Sequence, residues 1–339
     1  MIRQKYGIWF VLVSGGIKLL RYKMLKKPKK FEHIPECFGI KEGAEDFPLM
    51  CVLSFIYVCN ASCPNCPYNN SSIRDKYKDA LIMPVKLFKR IATECGRYGS
   101  YLRISGGGEP MMHPQAVELF LYAKKKNAKI GLITNGSIFT VAKLEKLISA
   151  QIDVIEFSVD AADEDTYNKV RPGLSWSKLN ENVANAVKIR DALKSNTKII
   201  ASAIDQKDVN IQDIKDYWED RVDNLQIRKY LTWGYNKDNS GDSAPYLDTN
   251  DKIPCPWLFE RLNIDSRGAV TLCGEDIAFD CAFANVNDKS IKDIWKSPEF
   301  EKFRRLHLEK RGDEIEICST CPDWQYRSWK YNYWKLINE

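Results

Sequence analysis

Apolar and polar positions alternate along this chain with two different periods, and the switching between them lays out the fold. From residue 48 onward, short apolar runs bounded by turn residues predict strands over 53–58, 101–105, 129–134, 154–159, 198–204 and 225–229. Between them, stripes recurring every three or four residues predict helices over 84–98, 114–126, 141–150, 177–193 and 213–219. In the first helix the stripe is Leu87, Ile91 and Cys95, with Pro84 at an early position. Strands that alternate with helices predict parallel strands joined by right-handed crossovers. Six of them suit an open doubly wound sheet or a partial barrel. Residues 232–254 are polar and rich in Gly, Asn, Asp and Ser, and read as a linker. Beyond it, two apolar runs flank Ser266-Arg267-Gly268, a hairpin signal, and helical stretches follow over 290–296 and 298–310.

The two ends depart from this rhythm. Near the start, Trp9, Val13, Ile17, Leu20 and Met24 recur at helical spacing, with Lys18 and Arg21 off the stripe. A basic amphipathic helix suits either a membrane surface with anionic lipids or packing on the body of the protein. The C-terminus carries Trp324, Tyr326, Trp329, Tyr331, Tyr333 and Trp334, a set that reads as packing.

Composition and charge narrow the classes. The chain has 339 residues, 44% hydrophobic and 28% charged, as a globular protein with a full core would have. No apolar run reaches about 18 residues, so no conventional transmembrane span is predicted. The net charge is +6, but residues 1–30 hold nine basic and no acidic side chains. The remainder has 42 basic against 45 acidic. The body is therefore no basic nucleic-acid binder. No signal peptide is evident, and the 11 cysteines fall in short spacings. Both features favour metal binding in a reducing compartment. With only three histidines, a histidine-rich metal site is not expected.

The cysteines carry the chemistry. Cys59-Asn-Ala-Ser-Cys63-Pro-Asn-Cys66 follows the first predicted strand. Three thiolates from one loop can converge on one centre and leave a position open. A structural zinc site would want a fourth ligand, whereas an iron–sulfur cubane can leave one iron free. The second strand runs into Ser105-Gly106-Gly107-Gly108-Glu109-Pro110, the third into Thr134-Asn135-Gly136, and the fourth into Ser158-Val159-Asp160 and then Arg171-Pro172-Gly173. Loops at the carboxyl ends of parallel strands form the ligand face of α/β folds. His113 could look like a base but reads as structural. Further on, Cys255 and Cys273 flank the predicted hairpin, and Cys318 and Cys321 form a C-x2-C. Four thiolates can close a zinc site or hold a fully ligated cluster. Cys37, Cys51 and Cys95 read as ordinary buried thiols. Cys281 has three readings: a spare ligand, a core thiol or a hydrogen-atom donor to a substrate.

On C-x3-C-x2-C after the first strand and Gly-Gly-Glu-Pro after the second, the chain resembles the radical S-adenosylmethionine enzymes over about residues 48–230. The resemblance implies an α/β fold, a partial (β/α)6 barrel with a small C-terminal auxiliary-cluster domain. It implies a [4Fe-4S] cluster on Cys59, Cys63 and Cys66, with S-adenosylmethionine on the fourth iron. Gly107, Gly108 and Glu109 would meet the methionine amino group. Ser158 and Arg171 would hold the ribose and carboxylate, with Asn135 as a further cofactor-binding candidate. The family usually has an aromatic residue just before the third cysteine. Here that residue is Asn65, and Tyr68 is the nearby ring that can replace it. Gly-x4-Cys, the stretch Ser-Ile-Lys-Asp-Ile-Trp-Lys-Ser and C-x2-C together resemble the SPASM or shorter twitch extension. That implies one auxiliary [4Fe-4S] cluster on Cys255, Cys273, Cys318 and Cys321, with zinc as the competitor.

The domain plan is then an N-terminal extension over 1–47, the barrel over 48–231, the linker over 232–254 and the auxiliary domain over 255–339. The implied activity is reductive cleavage of S-adenosylmethionine to a 5′-deoxyadenosyl radical that takes hydrogen from a substrate. A flavodoxin or ferredoxin would supply the electron. A small polar substrate such as a sugar, cyclitol or nucleotide-sugar, dehydrogenated or epimerised, is favoured, because only one auxiliary cluster is expected and residues 1–47 look too short and basic to bind a leader peptide. The alternative is a peptide- or protein-modifying maturase. The implied location is cytoplasmic, with residues 1–30 able to touch a membrane surface.

Overall fold

The computed structural model describes residues 8–13, 16–21, 44–69, 71–230, 254–319 and 321. The N-terminal stretch differs from the predicted helix. Strands β1 (Ile8–Val13) and β2 (Gly16–Arg21) pair antiparallel, with Val13 opposite Gly16. Ile8–Val13 is an unbroken apolar run rich in β-branched and aromatic residues, and Ser14-Gly15 after it is a hairpin dipeptide. Most of the 232–254 linker, Cys37 and the C-terminal aromatics lie outside the described residues.

The body is one sheet of nine strands. Six of them, β3 (Met50–Leu53), β4 (Tyr101–Ile104), β5 (Lys129–Thr134), β6 (Val154–Ser158), β7 (Lys198–Asp205) and β8 (Asn224–Lys229), are parallel and lie side by side in chain order. This is the α/β partial barrel expected. Helix α1 (Ser71–Tyr77) follows the first cysteine loop, and α2 (Val85–Tyr98), α3 (Ala116–Lys125), α4 (Val141–Ser149), α5 (Glu164–Val170), α6 (Trp176–Ala192) and α7 (Ile211–Trp218) connect the strands. Side-chain caps set several starts: Thr140, Asp163, Ser175 and Asn210 each accept a backbone N–H from the first turn of their helix. Strand β6 is buried on both faces, with Val154, Ile155 and Phe157 in the core and its one charged residue, Glu156, paired with Arg228 of β8.

The C-terminal part joins the same sheet. Strand β9 (Arg261–Ile264) pairs parallel with β3 on the side away from β4, and β10 (Ala269–Thr271) and β11 (Ala284–Asn285) follow antiparallel. Helices α8 (Ile291–Trp295), α9 (Pro298–Leu308) and α10 (Glu316–Ser319) complete the described chain. Among the described residues no helix is long and apolar enough to cross a membrane.

Candidate active site and cluster ligands

After β3 the chain leaves the ladder and runs beside the glycine loop. Ile56 bridges Gly107, and the Glu109 amide donates to the Val58 carbonyl at 2.9 Å. The approach is too close for side chains: a Cβ on Gly107 would stand 2.2 Å from the Ile56 oxygen, and one on Gly108 2.1 Å from that of Val58. The glycines thus bring the end of β4 against the segment that delivers Cys59. A turn then carries the other two thiols. The Cys66 amide donates to the Cys63 carbonyl at 3.1 Å, and Asn69 Nδ2 donates to the same oxygen at 2.7 Å.

Cys59, Cys63 and Cys66 line one cavity of about 270 Å³ with Tyr57, Tyr68 and Gly107. Its wall offers no fourth cysteine, histidine or carboxylate among the described residues. A cubane is larger than a single ion, carries its own sulfides and takes thiols spaced around it, so this donor set fits a three-thiolate cluster with one open iron. Burial pushes the Cys66 thiol up to about 11. A coordinated metal reverses that preference, because it deprotonates a ligating thiol outright.

Glu109 is buried at the meeting point of three strand ends. Its Oε1 accepts from the Met111 amide at 3.0 Å and from Thr134 Oγ1 at 2.7 Å, and its Oε2 from the Asn135 amide at 2.7 Å. A carboxylate has about four acceptor sites, so Oε2 retains one for an incoming ammonium. Burial raises its pKa above the ordinary carboxylate value, against the pull of these donors and of Arg171. Asn135 does not stand alone: its Nδ2 donates to Asn60 Oδ1 at 2.9 Å, and Asn60 Nδ2 donates to Ser137 Oγ at 2.8 Å. This network ties the cysteine loop to the end of β5. Arg171, just after α5, is clamped by Asp160, with Nε 2.9 Å from Oδ2. Burial alone would favour its neutral form, but Asp160 and the nearby Cys63 hold the guanidinium firmly charged. The Ser62 amide donates to the Pro172 carbonyl at 3.3 Å, so the Arg171 loop lies on the cysteine loop. Ser158 ends β6 and is half-buried.

Asn65 is turned to Gln206 after β7, to whose Oε1 its Nδ2 donates. Tyr68 stands instead at the cavity wall, edge-on to Tyr57 at 5.8 Å. His113 is structural as expected. It stacks on Phe55 at 4.4 Å, bonds the Met83 carbonyl through Nε2 at 3.2 Å, and burial lowers its pKa.

The four cysteines expected to form the second set lie in three stretches of the C-terminal region. Cys255 precedes a 3-10 turn, Pro256–Phe259, whose Trp257 ring lies against Gly274, next to Cys273. Cys318 lies in α10, and the Cys321 amide donates to its carbonyl at 3.4 Å. His307 lies between Cys255 and Cys318, and Cys321 follows Cys318 in the same turn, a thiol-only donor set of the kind that holds a fully ligated cluster. Cys281 is outside the wall of the first cavity. Its amide donates to Asp276 Oδ2 at 2.9 Å, and its thiol meets the backbone of Ile317. Cys51 and Cys95 are buried, as expected. Asp160 stands among the polar residues noted after the fourth strand, but its pairing with Arg171, like the contacts of Asn60 and His307, left no local signal.

An α/β sheet whose strand ends gather three thiols, a buried carboxylate and a clamped arginine defines an iron–sulfur enzyme. The chain belongs to the Radical SAM superfamily, which it matches over residues 53–204, and it carries an iron–sulfur cluster-binding SPASM domain over 255–322. It is 24% identical to the PqqA peptide cyclase of Gluconobacter oxydans, across 76% of this chain and 79% of that protein. It is also 24% identical to the mycofactocin maturase MftC of Mycolicibacterium smegmatis, across 85% and 79%. Among solved structures it resembles Streptococcus suis SuiB bound to the precursor peptide SuiA (TM-score 0.62, 16% identity, 87% of this chain and 74% of that one). BtrN in complex with AdoMet and 2-DOIA gives a TM-score of 0.54 at 16% identity, across 80% and 92%. At that identity both structural likenesses speak for the fold alone.

Proposed function

We propose that this radical SAM enzyme modifies a peptide or protein substrate, with S-adenosylmethionine at the first cluster and one auxiliary [4Fe-4S] cluster on Cys255, Cys273, Cys318 and Cys321. The observation that carries the peptide reading is the reach of the sequence similarity. It runs through barrel and SPASM region alike, and the relatives concerned are named for a peptide cyclase and a maturase. This weighs against the small polar substrate expected from the sequence on the grounds of a single auxiliary cluster and a short basic N-terminus.

The bound cluster and S-adenosylmethionine supply one-electron reductive chemistry that ends in removal of a hydrogen atom from the substrate. The protein's part is positional. Cys59, Cys63 and Cys66 would hold the cluster, Glu109 would orient the ammonium of S-adenosylmethionine, and the Arg171 guanidinium, held in place by Asp160, would face its carboxylate. Tyr57 and Tyr68 close the wall and keep water from the reacting centre.

Reconstituted without oxygen, the chain should bind about eight irons. Four irons and one zinc would overturn the auxiliary-cluster assignment. Cys63→Ala should abolish formation of 5′-deoxyadenosine. For the substrate, the enzyme is co-expressed with the short reading frames beside its gene, and the peptides are weighed by mass spectrometry. The reading expects a loss of whole hydrogens, or a new cross-link, that Cys63→Ala prevents. Coupled turnover of a sugar or cyclitol, with every such peptide unchanged, would refute it.

A further inference from the structure

His307, on α9, joins two of the four auxiliary thiol positions. Its Nδ1 lies 3.3 Å from the Cys255 amide nitrogen, and its Nε2 lies 3.4 Å from Cys318 Sγ. The two contacts fix the proton. An amide N–H can only donate, so Nδ1 must accept, and a neutral ring with a bare Nδ1 carries its hydrogen on Nε2. That hydrogen points at the Cys318 sulfur. The ring is held in this orientation from both sides. It is buried, and a Cβ on Gly312 would come within 3.2 Å of Cε1, so the turn leading to α10 presses on one flank. One turn back on the same helix, buried Arg304 donates from Nε to the Leu258 carbonyl at 3.0 Å and from Nη1 to that of Trp295 at 3.0 Å. Arg304 and His307 together grip the turn that starts at Cys255.

We propose that His307 is a positioning residue of the auxiliary cluster, donating Nε2–H to the Cys318 thiolate and thereby raising the cluster's reduction potential. A hydrogen bond to a ligating sulfur draws off negative charge and stabilises the reduced, more negative state. The inference rests on the auxiliary-cluster reading above. It sets how readily that cluster takes an electron, and it assigns the histidine no ligand role.

The test uses the full-length enzyme reconstituted without oxygen and titrated by electron paramagnetic resonance. His307→Leu should keep its iron and hold about a tenfold smaller ratio of reduced to oxidised auxiliary cluster at a fixed potential, about 59 mV for a one-electron couple. His307→Gln, whose amide nitrogen reaches the place of Nε2, should recover most of that shift. Unchanged potentials in both variants overturn the proposal. Should His307→Leu lose iron, the wild type labelled with 15N-histidine decides. A weak nitrogen coupling and an exchangeable proton coupling on the auxiliary signal are expected. Absence of both, or the strong coupling of a nitrogen bound to iron, overturns it. An enzyme showing only the first cluster's signal sinks the auxiliary reading and this inference together, whereas an auxiliary signal without histidine coupling sinks the inference alone.

Discussion

At Glu109 burial and hydrogen bonding pull in opposite directions, and burial prevails: its pKa stands above the ordinary carboxylate value despite three donors. An acid with a raised pKa becomes neutral at a higher pH than an exposed glutamate does, and a neutral carboxyl no longer pairs with an ammonium. Binding of S-adenosylmethionine should therefore fall as the pH drops through that raised value, above the region near 4.3 where an exposed glutamate titrates. Glu109→Gln should weaken binding about tenfold at neutral pH, the worth of one charge-assisted hydrogen bond, and flatten the acid limb. Calorimetric titration across the acid range checks both. Cys281 gives the opposite expectation. Its thiol meets Ile317 and is pushed up to about 11 by burial and the Asp276 carboxylate, outside the first cavity's wall. Cys281→Ser should keep coupled turnover and cost on the order of 1 kcal/mol of stability. Trapped substrate radical with intact clusters would restore the hydrogen-donor reading. The cysteines and Glu109 were legible because their signal is local. Asp160 behind Arg171 and His307 between Cys255 and Cys318 were not, because nothing in a linear pattern marks a partner 11 or 52 residues away.

The predicted helices 141–150 and 213–219 lie within two residues of α4 and α7, whereas α1 and α5 went unread, α5 despite its Asp163 cap. Thr140 before α4 and Asn210 before α7 are caps whose side chains do the capping in the structure. Two readings went astray for related reasons. The apolar residues at 8–20 satisfy a helical stripe, but their continuous run and Ser14-Gly15 suit the hairpin that forms. The first barrel strand was read as 53–58 and is Met50–Leu53. Residues 55–58 are apolar or aromatic because Phe55 packs on Phe88, His113 and Phe120 and Tyr57 on Tyr68 and Tyr77, with Ile56 bridging Ile82 and Gly107 outside the ladder. That displaced segment makes the glycine loop a structural support of the cluster. Gly108→Ala would set a Cβ against the Val58 carbonyl, a backbone atom that can yield only by moving the chain that carries Cys59. We expect a loss of about 2–3 kcal/mol, in the range of overpacked sites, with iron at the first cluster reduced while the auxiliary cluster stays loaded. Iron content paired with a urea melt reads both. Normal loading would mean that the two segments can part without cost.

On the scale of the whole molecule, the sequence suggested a barrel and a separate auxiliary domain joined by a polar linker. In the structure the two share one sheet through β3, which pairs with β4 on one side and with β9 on the other. The Met50 amide donates to the Glu260 carbonyl at 3.1 Å, and the Ser54 amide to that of Ile264 at 2.9 Å. Side chains repeat the connection away from the sheet. Tyr77 Oη donates to the Ile277 carbonyl at 3.3 Å, Trp295 Nε1 to that of Ala44 at 2.7 Å, and the Glu94 carboxylate accepts the Ile291 and Lys292 amides at the start of α8. No periodicity in the chain could show this, because a parallel partner more than 200 residues away leaves no local trace. The consequence is cooperative. A chain ending at residue 231 would bare the whole length of β3 as an unpaired edge and uncover the surface around Glu94 and Tyr98 that α8 covers, and an open edge promotes edge-to-edge association. We therefore expect that truncated chain to aggregate, and the full chain to unfold in urea through one transition, with fluorescence and circular dichroism giving the same midpoint. Two separated transitions, or a soluble truncated barrel that still loads four irons, would show that the auxiliary region docks on a finished barrel. A single transition whose midpoint moves for both probes on Glu94→Ala would show that barrel and auxiliary region fold as one body.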